Sequence, residues 1–221
     1  MSPSKKTSVN RRHFLKSAAV GTVALAATPA RPAKLSVRGA QGIPKDIYCV
    51  VTGQNERGKS VFVQKKAIQP VTVALFPGYE FYRMWGRDAT PELPSDGTPP
   101  GQPRYFPPKQ GFRFLFFTLP PVSTTSPTQL GDAAAVEEVQ QKLPGMIEVL
   151  EPAHPGMHTT DTVDFDVVIS GEVFLELDDG AEVHLKAGDC VIQNGTRHAW
   201  HNRSSEKCVI AVTLVGAQRK S

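Results

Sequence analysis

Gly188-Asp189-Cys190-Val191-Ile192-Gln193-Asn194-Gly195-Thr196-Arg197-His198-Ala199-Trp200-His201-Asn202 is the stretch that decides the fold. Gly188-Asp189 is a turn that feeds a short β-rich run, Gly195 permits a tight reversal, and His198 emerges on the returning strand. Strand side chains alternate sides, so Trp200 and Asn202 share a face with His198, and His201 points the other way. Upstream, Phe165, Val167 and Ile169 alternate with Asp164, Asp166, Val168 and Ser170, and two further alternating runs follow over 172–177 and 182–186. The Asp178-Asp179-Gly180 turn between those two runs is settled by register. A three-residue loop pairs Leu175 with Val183 and Val173 with Leu185, which keeps apolar residues together and puts Gly180 in the left-handed region. His184 then faces Phe174 as a surface cross-strand residue, and Lys186 faces Glu172.

Further upstream, His158, Thr160 and Asp164 stand at offsets 0, 2 and 6, so an extended chain presents them on one face, together with Asp166. Two aspartates in a shielded space require a counter-charge or a raised pKa. A metal ion, a protonated histidine or an arginine would each satisfy them.

These segments resemble the two motifs of the cupin family. In the second motif, G-x5-P-x-G-x2-H-x3-N, Gly188, Gly195, His198 and Asn202 match; Gln193 replaces the proline, and the first gap is one residue shorter. In the first motif, G-x5-H-x-H-x3,4-E-x6-G, His158 matches the first histidine, Thr160 stands at the second, Asp164 at the glutamate, and Gly171 at the closing glycine. The resemblance covers residues 145–216 and implies an all-β cupin barrel (a double-stranded β-helix or jelly roll). By resemblance, His158, Asp164 and His198 hold a divalent metal (iron, manganese, nickel or zinc), with Asp166 as a spare acid or base. Two histidines and a carboxylate match the facial-triad set for iron. The implied activity is that of a metal-dependent enzyme on a small organic molecule, by oxygenation, decarboxylation, isomerisation or dehydration. A non-catalytic small-molecule binder that has lost its metal is the rival, supported by Thr160 and Asp164 in place of the usual histidine and glutamate. Metal-independent proton transfer by Asp164 or Asp166 with a histidine is a third reading. A homodimer follows from the same resemblance. Arg197 lies where it could meet an anionic substrate, and His154 reads as a loop residue.

The N-terminal half carries β-rich runs at 47–52, 60–63, 71–76, 80–85 and 112–117, and extends the barrel or forms a degenerate second one. Seven prolines between 91 and 108 exclude that stretch from a central sheet and mark a long surface loop. One helix is expected over Asp132–Leu143, stopped by Pro144-Gly145. Phe112, Phe114 and Phe116 form a stripe expected in the core, although Leu115 and Phe117 make the other face apolar too. Cys49, Cys190 and Cys208 form no disulfide framework; Cys190 and Cys208 sit in apolar runs and read as buried thiols.

The remaining boundary is set by charge. Residues 1–33 hold Lys5, Lys6, Arg11, Arg12, Lys16 and Arg31 and no acid. Removing those six from the 25 bases leaves 19 against 21 acids, a net of −2, so the basic character belongs to the leader. A nucleic-acid-binding body loses its main support. Asn10-Arg11-Arg12-His13-Phe14-Leu15-Lys16, followed by a short apolar run, resembles a twin-arginine signal. That implies passage through the Tat translocase to the periplasm or beyond, with no stable membrane span, because the run is far short of the ~20 residues a spanning helix needs. The expected organisation is a signal peptide over 1–33, a β-rich region over 34–144 and a barrel over 145–221.

Overall fold

The computed structural model describes residues 47–121 and 131–220; the leader lies outside the described residues. The elements are β1 (Ile47–Gln54), β2 (Ser60–Ile68), β3 (Glu80–Arg87), β4 (Phe112–Leu119), α1 (Ala133–Lys142), α2 (Met146–Val149), β5 (Thr162–Ser170), β6 (Glu172–Glu176), β7 (Glu182–Lys186), β8 (Cys190–Asn194), β9 (Ala199–His201) and β10 (Cys208–Gly216). They form a five-stranded sheet ordered β3-β4-β10-β5-β8, a three-stranded sheet ordered β7-β6-β9, and a separate β1-β2 hairpin.

β10 is the middle strand of the large sheet, and its sequence, CVIAVTLVG, is nearly unbroken apolar, as a strand with residues buried on both faces should be. β5 alternates strictly, with Thr162, Asp164, Asp166, Val168 and Ser170 inward. The two sheets meet in one core. Val173, Leu175 and Leu185 from the small sheet join Leu115, Val168 and Ile210 from the large one. β3 and β4 hydrogen-bond into the same sheet as the motif-bearing strands, so they extend the barrel. The β6-β7 hairpin has the expected register, with Phe174 opposite His184 and Glu172 opposite Lys186, and Gly180 has φ +71°.

α1 starts where the Asp132 side chain accepts from the Ala134 and Ala135 amides, satisfying two N–H groups that have no partner within the helix. Val139 and Leu143 are fully buried and hold the helix to the core. Arg113 on β4 is buried and donates to the carbonyls of Arg87, Arg104 and Phe112 and to the Asp88 carboxylate. One guanidinium thus ties the proline-rich loop to the sheet.

Four expectations are corrected. Residues 71–76 are not a strand: Pro70 and Pro77 bracket them, only Val71 bridges to Phe81, and turn bonds run from the Phe76 amide to the Val73 carbonyl and from the Tyr79 amide to the Phe76 carbonyl. The proline-rich segment stays outside the sheets but is not only surface, since Tyr105 is 5% exposed. The even-numbered phenylalanine stripe lies outside the main core: Phe114 is exposed and Phe116 packs against a smaller cluster of Ile68, Tyr82 and Met84, while the odd-numbered Leu115 lies in the main core. Cys190 is exposed, and all three cysteines are free.

Candidate functional site

A cavity of about 230 Å³ opens inside the barrel. His158, Thr160, Asp164, Asp166, His198 and Trp200 all line it. Asp164 and Asp166 face it from β5 and Trp200 from β9, as parity expects, whereas His158 and Thr160 precede β5 across a bend at Asp161 and His198 sits in an isolated bridge just before β9. His201 faces away and meets Glu176 across the small sheet at 2.6 Å. Asp166 does not bulge outward: it pairs with Val191 of β8 and Val212 of β10 in regular register.

The backbone brings the two histidines together. The His158 amide donates to the His198 carbonyl and the His198 amide to the His158 carbonyl, each at 3.0 Å. Gly195, at φ +60°, makes the turn that leads into this pairing, and a Cβ there would press on the Thr160 carbonyl at 3.1 Å. The imidazole centroids end 4.2 Å apart. Each Nδ1 lies against a backbone carbonyl, His158 at 3.0 Å from Gly156 and His198 at 2.9 Å from Thr196. A carbonyl only accepts, so each Nδ1 carries the proton, and the neutral ring keeps a lone pair on Nε2. Burial lowers the pKa of both rings; His198 falls to about 4, with the neighbouring His158 as a second cause.

The carboxyl groups shift the other way. Burial raises Asp164 to about 6, partly offset by a hydrogen bond from Thr162. Burial, and then the charge of Asp164, raises Asp166 to about 8. Asp164 Oδ1 is buried without a hydrogen-bond partner, as is Nε2 of Gln193, its register neighbour on β8. The Thr160 and Thr162 hydroxyls bond to each other at 2.8 Å.

The donor chemistry fits a divalent cation: two Nε2 lone pairs, each ring fixed through Nδ1 by a backbone carbonyl, and a carboxylate with an orphaned oxygen. The spacing is looser. His158, Asp164 and His198 do not form a set with all ligand atoms within 4.8 Å of one another; among the described residues, Glu176, Glu182 and His201 do. That second set lies on the small sheet, and Arg203 already neutralises its Glu182.

Residues 146–215 match the cupin domain family, Cupin_2. The barrel has the cupin fold over those residues. The chain is 35% identical over 101 residues to phomopsin biosynthesis cluster protein C' of Diaporthe leptostromiformis, covering 40% of this chain and 53% of that protein. It is 49% identical over 65 residues to oryzines biosynthesis cluster protein J of Aspergillus oryzae, covering 28% and 36%. The chain thus spans about half, or less, of the curated relatives it matches. Solved structures that overlap it include a Cupin 2 conserved barrel domain protein from Salinispora arenicola, at 16% identity and TM-score 0.35, covering 68% of this chain and 88% of that one. A "predicted oxalate decarboxylase" from Thermotoga maritima overlaps at 15% identity and TM-score 0.37, covering 67% and 92%.

Two features of this site were not foreseen from the sequence. Much of the cavity wall comes from outside the motif-bearing segment: Phe76, Tyr79, Phe81, Tyr105 and Phe106 line it. The available signal was aromatic residues set beside prolines, Phe76 and Tyr79 around Pro77 and Tyr105 and Phe106 before Pro107-Pro108, outside any strand; Phe81 reaches the cavity from β3. Arg197 is not free for a substrate anion, because Glu151 holds it at 2.7 and 2.8 Å and Asp178 at 3.0 Å.

Proposed function

We propose that this protein is a biosynthetic cupin enzyme, exported through the twin-arginine route, that acts on a small organic molecule inside the barrel with a divalent metal held by His158, Asp164 and His198. The observation that carries the reading is the pair of imidazoles, 4.2 Å apart and each pinned through Nδ1, presenting Nε2 to a cavity that also holds two buried aspartates. The relatives named as biosynthesis cluster proteins support the biosynthetic role. When bound, the metal supplies a Lewis acid or an oxygen-activating centre.

The other steps belong to the chain. The aromatic wall takes up the body of the substrate and excludes water. Asp166, whose carboxyl burial pushes up to about 8 in the metal-free protein, stands beside the ligand set as the acid or base that delivers or recovers a proton. Trp200, set edge-on to His198 with centroids 6.0 Å apart, fixes the ring that presents Nε2.

A second reading, a metal-free binding cupin, draws on Thr160 at the second histidine position and on the loose spacing of the three ligands. Elemental analysis of the purified protein separates the two. Stoichiometric metal in the parent, lost in His198→Ala, is expected. Absence of metal after reconstitution with iron, manganese, nickel and zinc in turn would leave the binding reading.

A further inference from the structure

The β1-β2 hairpin has two unlike faces. Ile47, Cys49 and Ile68 pack onto Tyr82 and Met84 of β3 and Phe116 of β4. The opposite face carries Tyr48 and Val50, joined by Phe62, the register partner of Thr52. Tyr48 is 58%, Val50 50% and Phe62 82% exposed, and Val61 and Val63 beside Phe62 are exposed as well. Apolar side chains gathered on one exposed face mark an interaction surface. Charge is gathered on the same element. Residues 47–68 hold Arg57, Lys59, Lys65 and Lys66 against Glu56, a net of +3, whereas residues 69–221 hold 12 bases against 19 acids, a net of −7. All four hairpin cations are exposed, and none makes an ion pair among the described residues. Lys65 reaches over the Tyr48 ring, with Nζ 5.6 Å from its centroid. None of these residues lines the barrel cavity.

We propose that this hairpin docks the protein on an anionic lipid surface, with Phe62, Tyr48 and Val50 entering the interfacial layer and the lysines lying among the headgroups. Attraction to the negative leaflet brings the cations there, each worth about fivefold in affinity. The apolar side chains then gain by leaving water, as on an interfacial amphipathic element. A tyrosine suits that depth, because its ring is apolar and its hydroxyl stays wet. The acidic remainder of the chain is repelled by the same surface, so the hairpin leads the approach. A single-stranded polynucleotide would also attract the cations and stack on the two rings. Val50, Val61 and Val63 decide for lipid, since an aliphatic side chain has no ring on which a base can stack. Docking here involves neither the cavity nor a metal, and stands or falls apart from the reaction assigned to the barrel.

The test is co-sedimentation of the full chain with vesicles of phosphatidylcholine alone and of equal parts phosphatidylcholine and phosphatidylglycerol, at low and at physiological salt. Two variants are compared with the parent: Phe62→Ser, and Lys59→Gln combined with Lys65→Gln. All three positions are exposed, so the fold is kept, and circular dichroism checks it. The basic leader is common to parent and variants, so the difference between them reads the hairpin. The parent is expected to prefer the anionic vesicles and to bind them less tightly as salt rises. Affinity is expected to fall about tenfold or more in each folded variant. No binding to anionic vesicles, equal binding to phosphatidylcholine alone, or an unchanged affinity in either variant overturns the proposal. So does tighter binding to polyuridylate than to the vesicles, or self-association that is lost in Phe62→Ser while vesicles are ignored; each gives the surface to a different partner.

Discussion

Replacing Asp166 by asparagine removes a carboxyl but retains its size and its place on β5 between Val191 and Val212. In the metal-free protein burial and the Asp164 charge raise the pKa of this group to about 8, against an ordinary 3.8. A raised carboxyl pKa favours the folded state while the group is protonated. That stability is fully present below the ordinary carboxylate range and is lost as the pH rises through about 8. Linkage over those two values makes the loss between pH 5 and pH 9 on the order of 4 kcal/mol from this residue. Asp164, raised to about 6, adds a smaller loss that is nearly complete by pH 7. Urea unfolding in the presence of EDTA at pH 5, 7 and 9 measures the effect. Asp166→Asn is expected to flatten most of the pH dependence and to exceed the parent in stability at pH 9. Parent and variant curves that remain parallel across this range would refute the claim that Asp166 is a buried, charge-starved carboxyl.

Gly171 at φ +75° would place a Cβ 2.5 Å from the Lys207 carbonyl oxygen, whereas Gly58 at φ +70° faces open space. Gly171→Ala is therefore expected to destabilise by more than the ~1 kcal/mol of conformational strain alone expected for Gly58→Ala, and equal urea midpoints would contradict the close approach. Arg113→Met removes a buried guanidinium that satisfies three carbonyls and pairs with Asp88, at an expected loss of ~3–5 kcal/mol by thermal or urea unfolding. A thiol reagent should label exposed Cys190 in the native protein, while Cys208, buried and with its thiol raised to about 12, reacts only after unfolding. Native labelling of Cys208, or a Cys190–Cys208 disulfide under non-reducing conditions, would contradict the packing.

Local sequence rules sufficed for the barrel's motif-bearing half. Period-two alternation put Asp164 and Asp166 on the inward face, glycine placed the turns at 180 and 195, and register logic recovered the β6-β7 pairing. Asp132 and Pro144 bounded α1 in the same way, because caps and stops act over a few residues. These features depend on neighbours in the chain, and the chain itself records them. Which apolar face of β4 turns inward was beyond such rules, since both faces are apolar and only packing against β10 and the core decides. So were the contribution of Phe76, Tyr79 and Tyr105 to the cavity and the capture of Arg197 by Glu151, 46 residues away. Sequence alone determined that His158, Asp164 and Asp166 fall on one side of an extended run, while His198 comes from another segment that folding pairs with it. Tertiary structure decided what surrounds them, because a cavity wall and an ion pair are built from residues that only folding brings together, and their burial is what moves the site's protons.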